Sequence, residues 1–455
     1  MTTEAELVAA LSVVLSADVD DLERVTGGAS RETWAFSTAS EDVRRKLILR
    51  RDPPGAMASG LAREAQLLEC AAAVGVPVPE VIASGADLAG ASFVVMRAID
   101  GETIPRRLLR DDAFSAVRPQ LASQCGRILA AVHRMDAEMV DGLPDDDPLE
   151  RDRLAYDEFG QPHAAFELAF RWLEDHRPAT ARRTVVHGDF RNGNLIVGPD
   201  GIRAVIDWEL AHAGDPIEDL GWLCARAWRF GSDKPVGGFG DYDDLIAAYE
   251  TESGTVVDRD ALLWWETMAT LTWGVICMAQ TESHRSGALR SVELAAIGRR
   301  VAEVEWDLLT NLARAGAPGH RVAPSELEPG WDLPAPEKDE LGGGLYGVPT
   351  AGELVEAARE FLVHDVVPAT EGRVRFHARV AANVLAIVGR ELASGAAGKT
   401  AHSLRLAALG VGDERELCAL IHDRALGDVD EAVVASVRAD VVARLAVANP
   451  RYFGD

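Results

Sequence analysis

The stretch Val185 to Glu209, VVHGDFRNGNLIVGPDGIRAVIDWE, decides how this chain is read. It carries His187-Gly188-Asp189, then Asn194 five residues after the aspartate, then Ile206-Asp207-Trp208-Glu209. Leu195-Ile196-Val197 and Ala204-Val205-Ile206 are short apolar runs of strand type, and Gly198-Pro199-Asp200-Gly201 between them is a tight turn. The spacing therefore predicts a hairpin with Asn194 and Asp207 at its strand ends, beside the loop-borne Asp189. A single Asp or Asn in a turn ordinarily makes only local hydrogen bonds. Three oxygen-bearing side chains converging on strand ends ask for more. Phosphoryl transfer from a nucleotide uses such a set: a carboxylate to orient and deprotonate a hydroxyl, and oxygen ligands to hold Mg²⁺ against the phosphates.

HGDFRNGNL from His187, followed by IDWELAHAGDPIEDLGW from Ile206, resembles the aminoglycoside phosphotransferase and choline-kinase-like family. The resemblance covers residues 1 to about 315. It implies an α+β, bilobal protein-kinase-like fold with a small antiparallel-sheet N-lobe and a mostly helical C-lobe. ATP and Mg²⁺ are the cofactors it implies, and the hydroxyl of a small molecule is the acceptor. Carried over by position, Asp189 is the catalytic base, and Asn194 and Asp207 are the metal ligands. His187 braces the loop and joins Arg191 in the catalytic set. Asp215 and Asp219 match structural positions; Asp215 before Pro216 also reads as an N-cap followed by proline at the first helical position.

The N-terminal region is expected to bind the nucleotide. Gly27-Gly28-Ala29-Ser30-Arg31 lies between two strand-like runs, and its backbone N–H groups, at Gly28 and Ser30 especially, suit phosphates. In the next strand, Lys46 to Arg51, period-two alternation puts Lys46, Ile48 and Arg50 on one face. Arg50 then stands where the family's phosphate-holding lysine would be; arginine supplies a permanent, forked cation, and Lys46 is the fallback. A helix through Leu61–Leu68 offers Glu64 as the ion-pair partner of Arg50. The strand Ser92–Arg97, with Met96 near its end, leads to a hinge at Arg97–Gly101 that would bind the adenine through backbone groups. Pro105 to Met135 reads as one helix, with Leu121, Cys125, Ile128, Leu129 and Val132 at helical spacing. His133, at its end, reads as a packed or capping residue.

Composition limits the partners. At 455 residues the chain is too long for one core. A formal net charge of −27 disfavours nucleic acid, whose phosphates demand a cationic surface. The five cysteines lack CxxC spacing, as reduced core thiols do. The N-terminus has no signal-peptide pattern and no apolar run reaches spanning length, so no membrane contact and a cytoplasmic location are expected.

Substrate selection is assigned to Trp222, Arg226 and Arg229. A buried guanidinium requires an anionic partner, so these arginines, with Arg191, point to a substrate bearing phosphate, carboxylate or CoA. The expected organisation is an N-lobe over 1–99, a C-lobe over 100–315, a Pro/Gly-rich linker over 316–348 and a helical accessory domain over 349–455. With that module the chain is similar to bacterial kinases associated with acyl-CoA dehydrogenases, including 4-hydroxyacyl-CoA kinase. The resemblance implies a hydroxyacyl-CoA acceptor and a functional link to an acyl-CoA dehydrogenase; a homodimer is left open by the sequence. Two alternatives stand beside it: a phosphotransferase for aminoglycosides, macrolides or other small alcohols, and a pseudokinase-type binding or regulatory protein.

Overall fold

Alternation along the N-terminal strands places apolar side chains on both faces of a five-stranded antiparallel sheet. Its strands are β1 (Asp18–Arg24), β2 (Glu32–Ser40), β3 (Val43–Arg51), β4 (Val81–Gly85) and β5 (Phe93–Arg97), in the spatial order β1-β2-β3-β5-β4. On one face Leu47 and Leu49 of β3 join Phe36, Phe93 and Val95 under the helix Glu4–Leu15, which inserts Leu7 and Leu11. Ile48 points to the opposite face and packs against a second core containing Leu61, Ala65 and Leu68 of the helix Leu61–Ala73. Arg50 shares that face, so the alternation that buries Ile48 also aims Arg50 at this helix.

The computed structural model describes residues 3–25, 31–40, 43–52, 60–180, 182–317, 348–427 and 431–454. They form two compact units: Met1–Asp146 with Pro178–Glu266, and Asp147–Arg177 with Thr267–Asp455. In the first unit the sheet is followed by helices that include Leu121–Val132, Ile217–Cys224 and Tyr242–Ser253, and by two small sheets. One pairs β6 (Thr184–Val186) with β9 (His212–Gly214). The other pairs β7 (Leu195–Gly198) with β8 (Gly201–Val205). The expected helix from Pro105 to Met135 is broken into Pro105–Arg110, two 3₁₀ turns and Leu121–Val132. Pro119 falls in the second turn, where its ring and missing N–H prevent a continuous ladder.

The units are drawn differently from the segments expected from sequence. Residues 147–177 and 267–317 cluster with the C-terminal helices. Ala164, Leu168, Trp306 and Leu309 share one core with Leu417, Ile421, Val437 and Val441, so the C-terminal helices complete this core and do not enclose a separate one. The C-terminal segment, expected to be helical, includes one long helix, Gly372–Ala408. An 18-residue window of it has mean hydropathy 1.2, with 11% of the window buried. By length and composition alone it is therefore apolar enough to cross a membrane, contrary to the expectation that no stretch would be. The expected linker lies almost wholly outside the described residues.

Candidate active site

Register builds the site. Leu195 pairs with Val205, so Asn194 and Ile206 flank the open end of the β7–β8 hairpin, and the Ile206 N–H donates to the Asn194 carbonyl at 3.0 Å. Asp207 follows at once, with φ 71° and ψ 59°, in the left-handed region that Asp tolerates better than most residues. Asn194 donates its amide to Asp189, at 2.9 Å to the backbone carbonyl and 2.6 Å to Oδ2. Three residues named from the motif are thus tied to one strand end.

Asp189 is nearly buried, and its carboxylate is held from three sides. Oδ1 accepts from Arg191 Nε at 2.8 Å and from Trp222 Nε1 at 2.9 Å, while Oδ2 accepts from Asn194. His187 braces this loop and makes no contact with the carboxylate. Its Nδ1 accepts the Asp189 backbone N–H at 3.2 Å and its Nε2 faces the Ile206 carbonyl at 3.1 Å, which fixes the proton on Nε2. Burial pulls its pKa below the ordinary value against the nearby carboxylates, so the ring stays neutral. His187 is therefore a positioning residue, a correction to its place in the catalytic set.

Beneath the loop, Asp219 is fully buried and accepts the backbone N–H groups of His187 at 2.7 Å and Gly188 at 3.0 Å. His133 Nε2 lies 3.2 Å from the same carboxylate, and its Nδ1 lies 3.0 Å from the Tyr249 hydroxyl. Burial alone would raise the Asp219 pKa, but His133 and the backbone donors hold it below the ordinary value. Gly188 needs its φ of 75°, and a Cβ there would meet the Leu210 carbonyl at 2.4 Å. Asp215 accepts from the Ile217 N–H at 2.9 Å, but Pro216, not Asp215, takes the N-cap position of the helix Ile217–Cys224, one residue later than expected.

The first unit also brings Arg50 to this end. Arg50 Nη1 pairs with Glu64 Oε1, as expected, and Nη2 reaches Asp207 Oδ1 at 3.1 Å. Glu64 is buried, on the inward face of its helix, and takes a second arginine: Arg31 Nη1 lies 2.5 Å from Oε2. Burial pushes the Glu64 carboxyl above its ordinary value despite both guanidiniums. Glu209 adds a carboxylate 3.6 Å from Arg31 and 3.8 Å from Arg50. Sequence reading missed Arg31 as a site cation and Glu209 as its neighbour. The signal for Glu209 was its place in Asp207-Trp208-Glu209; that for Arg31 was its position at the foot of the glycine loop.

A divalent cation fits the donor set. With the Asn194 amide nitrogen turned to Asp189, its Oδ1 is left as the outward atom, and Asp207 keeps Oδ2 beyond the Arg50 contact. Among the described residues no cluster of three His, Cys, Asp or Glu could cage a metal. Mg²⁺ typically uses one or two protein oxygens and completes its shell with phosphate and water.

The other expected residues scatter. Gly28 and Ser30 lie outside the described residues. Met96 is a core residue, paired in register with Ile48. Lys46 is exposed at the far end of β3, 3.8 Å from Asp100, and does not reach the Glu64 cluster. Trp222 faces the catalytic loop as a donor to Asp189. Arg229 is spent internally, on the Cys224 carbonyl and at 2.9 Å on Glu266, which removes it as a substrate contact. Arg226 is half-buried in the 3₁₀ turn Arg226–Trp228. Of the three arginines from which an anionic substrate is inferred, Arg229 is turned to Glu266, and Arg191 and Arg226 remain.

Residues 21–262 match the family described as the phosphotransferase enzyme family, and 368–452 match a domain of unknown function. A mouse protein, "acyl-CoA dehydrogenase family member 10", is 29% identical over 237 residues, which is 48% of this chain and 21% of that protein. An Arabidopsis thaliana protein, "Probable acyl-CoA dehydrogenase IBR3", is 30% identical over 230 residues, 43% of this chain and 27% of its own length. The chain thus spans only about a fifth to a quarter of these relatives. A crystal structure from Ralstonia eutropha JMP134, described as a candidate aminoglycoside phosphotransferase, superposes with TM-score 0.55 at 21% identity, covering 69% of this chain and 98% of that one. It shares the kinase-like fold. With the family model covering just over half of its length, this chain belongs to the phosphotransferase enzyme family.

Proposed function

We propose that the chain phosphorylates the hydroxyl of an acyl substrate, best represented by a hydroxyacyl-CoA, using ATP and Mg²⁺. The observation that carries this reading is the hydrogen-bonded set at the open end of the β7–β8 hairpin: Asp189 fixed by Asn194, with Asp207 next to the strand pair and bonded to Arg50. Asn194 and Asp207 would hold the cation, which when bound neutralises phosphate charge. Asp189 accepts the proton of the acceptor hydroxyl. The oxygen of that hydroxyl forms the new bond to the γ-phosphorus as the bond from that phosphorus to the β-phosphate bridging oxygen breaks, and ADP leaves. Arg50, anchored by Glu64, would grip the phosphates. The acyl-CoA class is supported by the relatives, whose names are those of acyl-CoA dehydrogenases.

A screen of acceptor-dependent ADP release across hydroxyacyl-CoAs, free hydroxy acids and aminoglycosides tests the reading. Turnover should appear with the acyl class, and Asp189→Asn should lower kcat by about 10²–10⁴-fold, the usual share of a positioned base, with nucleotide affinity nearly intact. Full activity in that variant, or turnover confined to aminoglycosides, would refute it.

A further inference from the structure

Arg191 differs from the other arginines of the site. Arg31 and Arg50 are committed to Glu64, and Arg229 to Glu266. Arg191 donates Nε to Asp189 Oδ1 at 2.8 Å, and its guanidinium carbon lies 4.7 Å over the Trp228 ring. Gly193, at φ 123°, leaves the space that Nη1 fills: a Cβ there would come within 2.7 Å of it. An ion pair, an aromatic face and a missing side chain therefore fix one rotamer. Among the described residues, neither Nη1 nor Nη2 donates to anything further, and the side chain is 25% exposed.

The Asp189 oxygens are unequal in a complementary way. Oδ1 accepts twice, from Arg191 and Trp222, whereas Oδ2 accepts once, from Asn194. A carboxylate oxygen offers about two lone-pair sites, so Oδ2 has one left for a hydroxyl. An acceptor bound there sets the atoms next to its hydroxyl against the uncommitted edge of Arg191. A planar fork of N–H donors matches carbonyl and carboxylate oxygens, and its fixed charge repels amines.

We propose that Arg191 is the acceptor-recognition residue: it reads a carbonyl or carboxylate oxygen a few bonds from the reacting hydroxyl, so that the enzyme selects hydroxy acids and hydroxyacyl thioesters over plain or amine-bearing alcohols. The proposal rests on the phosphotransfer reading above and names the substrate class of that same site.

The test compares kcat/KM for a hydroxyacyl-CoA, for the matching free hydroxy acid, and for the diol in which the carbonyl is reduced. The wild type should prefer a carbonyl-bearing acceptor, and the two such arms distinguish thioester from free acid. Arg191→Gln should cut that preference at least tenfold, mainly through KM. Arg191→Lys keeps the charge without the fork, and should cut it less. A disturbed loop would instead lower all three acceptors by one factor, and that result overturns the proposal. In parallel, calorimetry with the non-hydroxylated acyl-CoA and the matching carboxylate in the presence of ADP should show at least tenfold weaker binding to Arg191→Gln; unchanged affinity, or no binding of either by the wild type, also overturns it. Unimpaired turnover in Asp189→Asn would sink the phosphotransfer reading instead, and leaves the acceptor preference to be measured on its own.

Discussion

Each unit contains a buried charge cluster, and the two clusters are built in opposite ways. In the second unit Glu305, 1% exposed, accepts on Oε1 from Arg444 at 2.6 Å and faces His163 at 3.0 Å, while Arg444 also reaches Glu414 at 2.6 Å. These residues sit in, or cap, the regular helices Ala164–Asp175, Val301–Arg314, Glu414–His422 and Glu431–Ala448. In the first unit Arg50 and Glu64 come from a strand and a helix, but Asp189, Arg191 and Asp207 stand on loops whose backbone enters the left-handed region at Gly188 and Asp207. Helix packing alone produces the first kind of cluster. The second kind includes left-handed backbone, and it leaves donors and acceptors uncommitted on Arg191, Asp189 and Asp207, whose side chains are 25%, 12% and 34% exposed, whereas the spare Oε2 of Glu305 is buried. Density of charge alone does not distinguish the two clusters; left-handed backbone combined with unspent hydrogen-bonding capacity open to solvent does.

The sharpest way to break this contrast is Asp207→Asn. Asparagine also tolerates φ 71°, so the fold should survive with a thermal midpoint near that of the wild type. Phosphoryl transfer should fall on the order of 10³-fold, as when one preorganised electrostatic group is lost. The counterpart, Glu305→Gln, should leave kcat unchanged in the same assay. Equal effects at the two positions would erase the distinction.

Stability provides the next comparison. Asp219→Ala removes an anion that holds two backbone N–H groups and His133; Glu305→Ala removes one that holds Arg444 and His163. Each should cost about 3–5 kcal/mol, the usual result of breaking a buried pair from one side, read from denaturant unfolding. Only the Asp219 variant should also lower kcat, because its partners are the backbone of the catalytic loop. A Glu305 variant with impaired kcat would show that the second unit participates in chemistry.

Sequence exposed the cluster of the first unit far better than that of the second unit, for physical reasons. The hairpin is local: its apolar runs, turn and flanking polar residues lie within Val185–Glu209, and register needs no long-range information. Alternation in β3 placed Arg50 on the side of Glu64 before any coordinates. Long-range partners were not legible. That Arg229 is neutralised by Glu266, 37 residues on, or that Asp219 is shared by His133 and the His187 loop, depends on helix packing that periodicity does not encode. His187 was legible as a brace through the family pattern, whereas its buried, neutral state came only from its surroundings.

A smaller effect links the catalytic loop to pH. Burial opposes a charged His212, but Glu218 at 3.0 Å prevails and raises the imidazole pKa to about 9. The folded value lies above the ordinary 6.5, so the pair contributes fully below that pH and loses its contribution as pH rises through about 9. The size is on the order of 1–3 kcal/mol. The wild-type thermal midpoint should decline between about pH 7 and 10, and His212→Gln should lack that part of the decline. Identical slopes would mean that the pair is not charged in the folded protein.

The smallest expected effect lies at Arg424, which shares positive φ with Asp207 but not its setting. Its φ is 57°, it is 43% exposed, and it bridges Glu174 at 3.1 Å and Asp175 at 2.8 Å. An exposed bridge of this kind contributes about 0–1 kcal/mol. Arg424→Ala keeps the backbone penalty and loses the bridge, so it should destabilise by no more than that. Arg424→Gly loses the bridge but relieves the left-handed strain, which is set against the greater freedom glycine gives the unfolded chain. The two variants should therefore fall within about 1 kcal/mol of the wild type, with glycine the milder, and with kcat unaltered in both. A drop in kcat here would mean that positive φ marks function wherever it occurs; its absence leaves strain informative only where, as at Asp207, the strained residue also presents an uncommitted polar atom to the site.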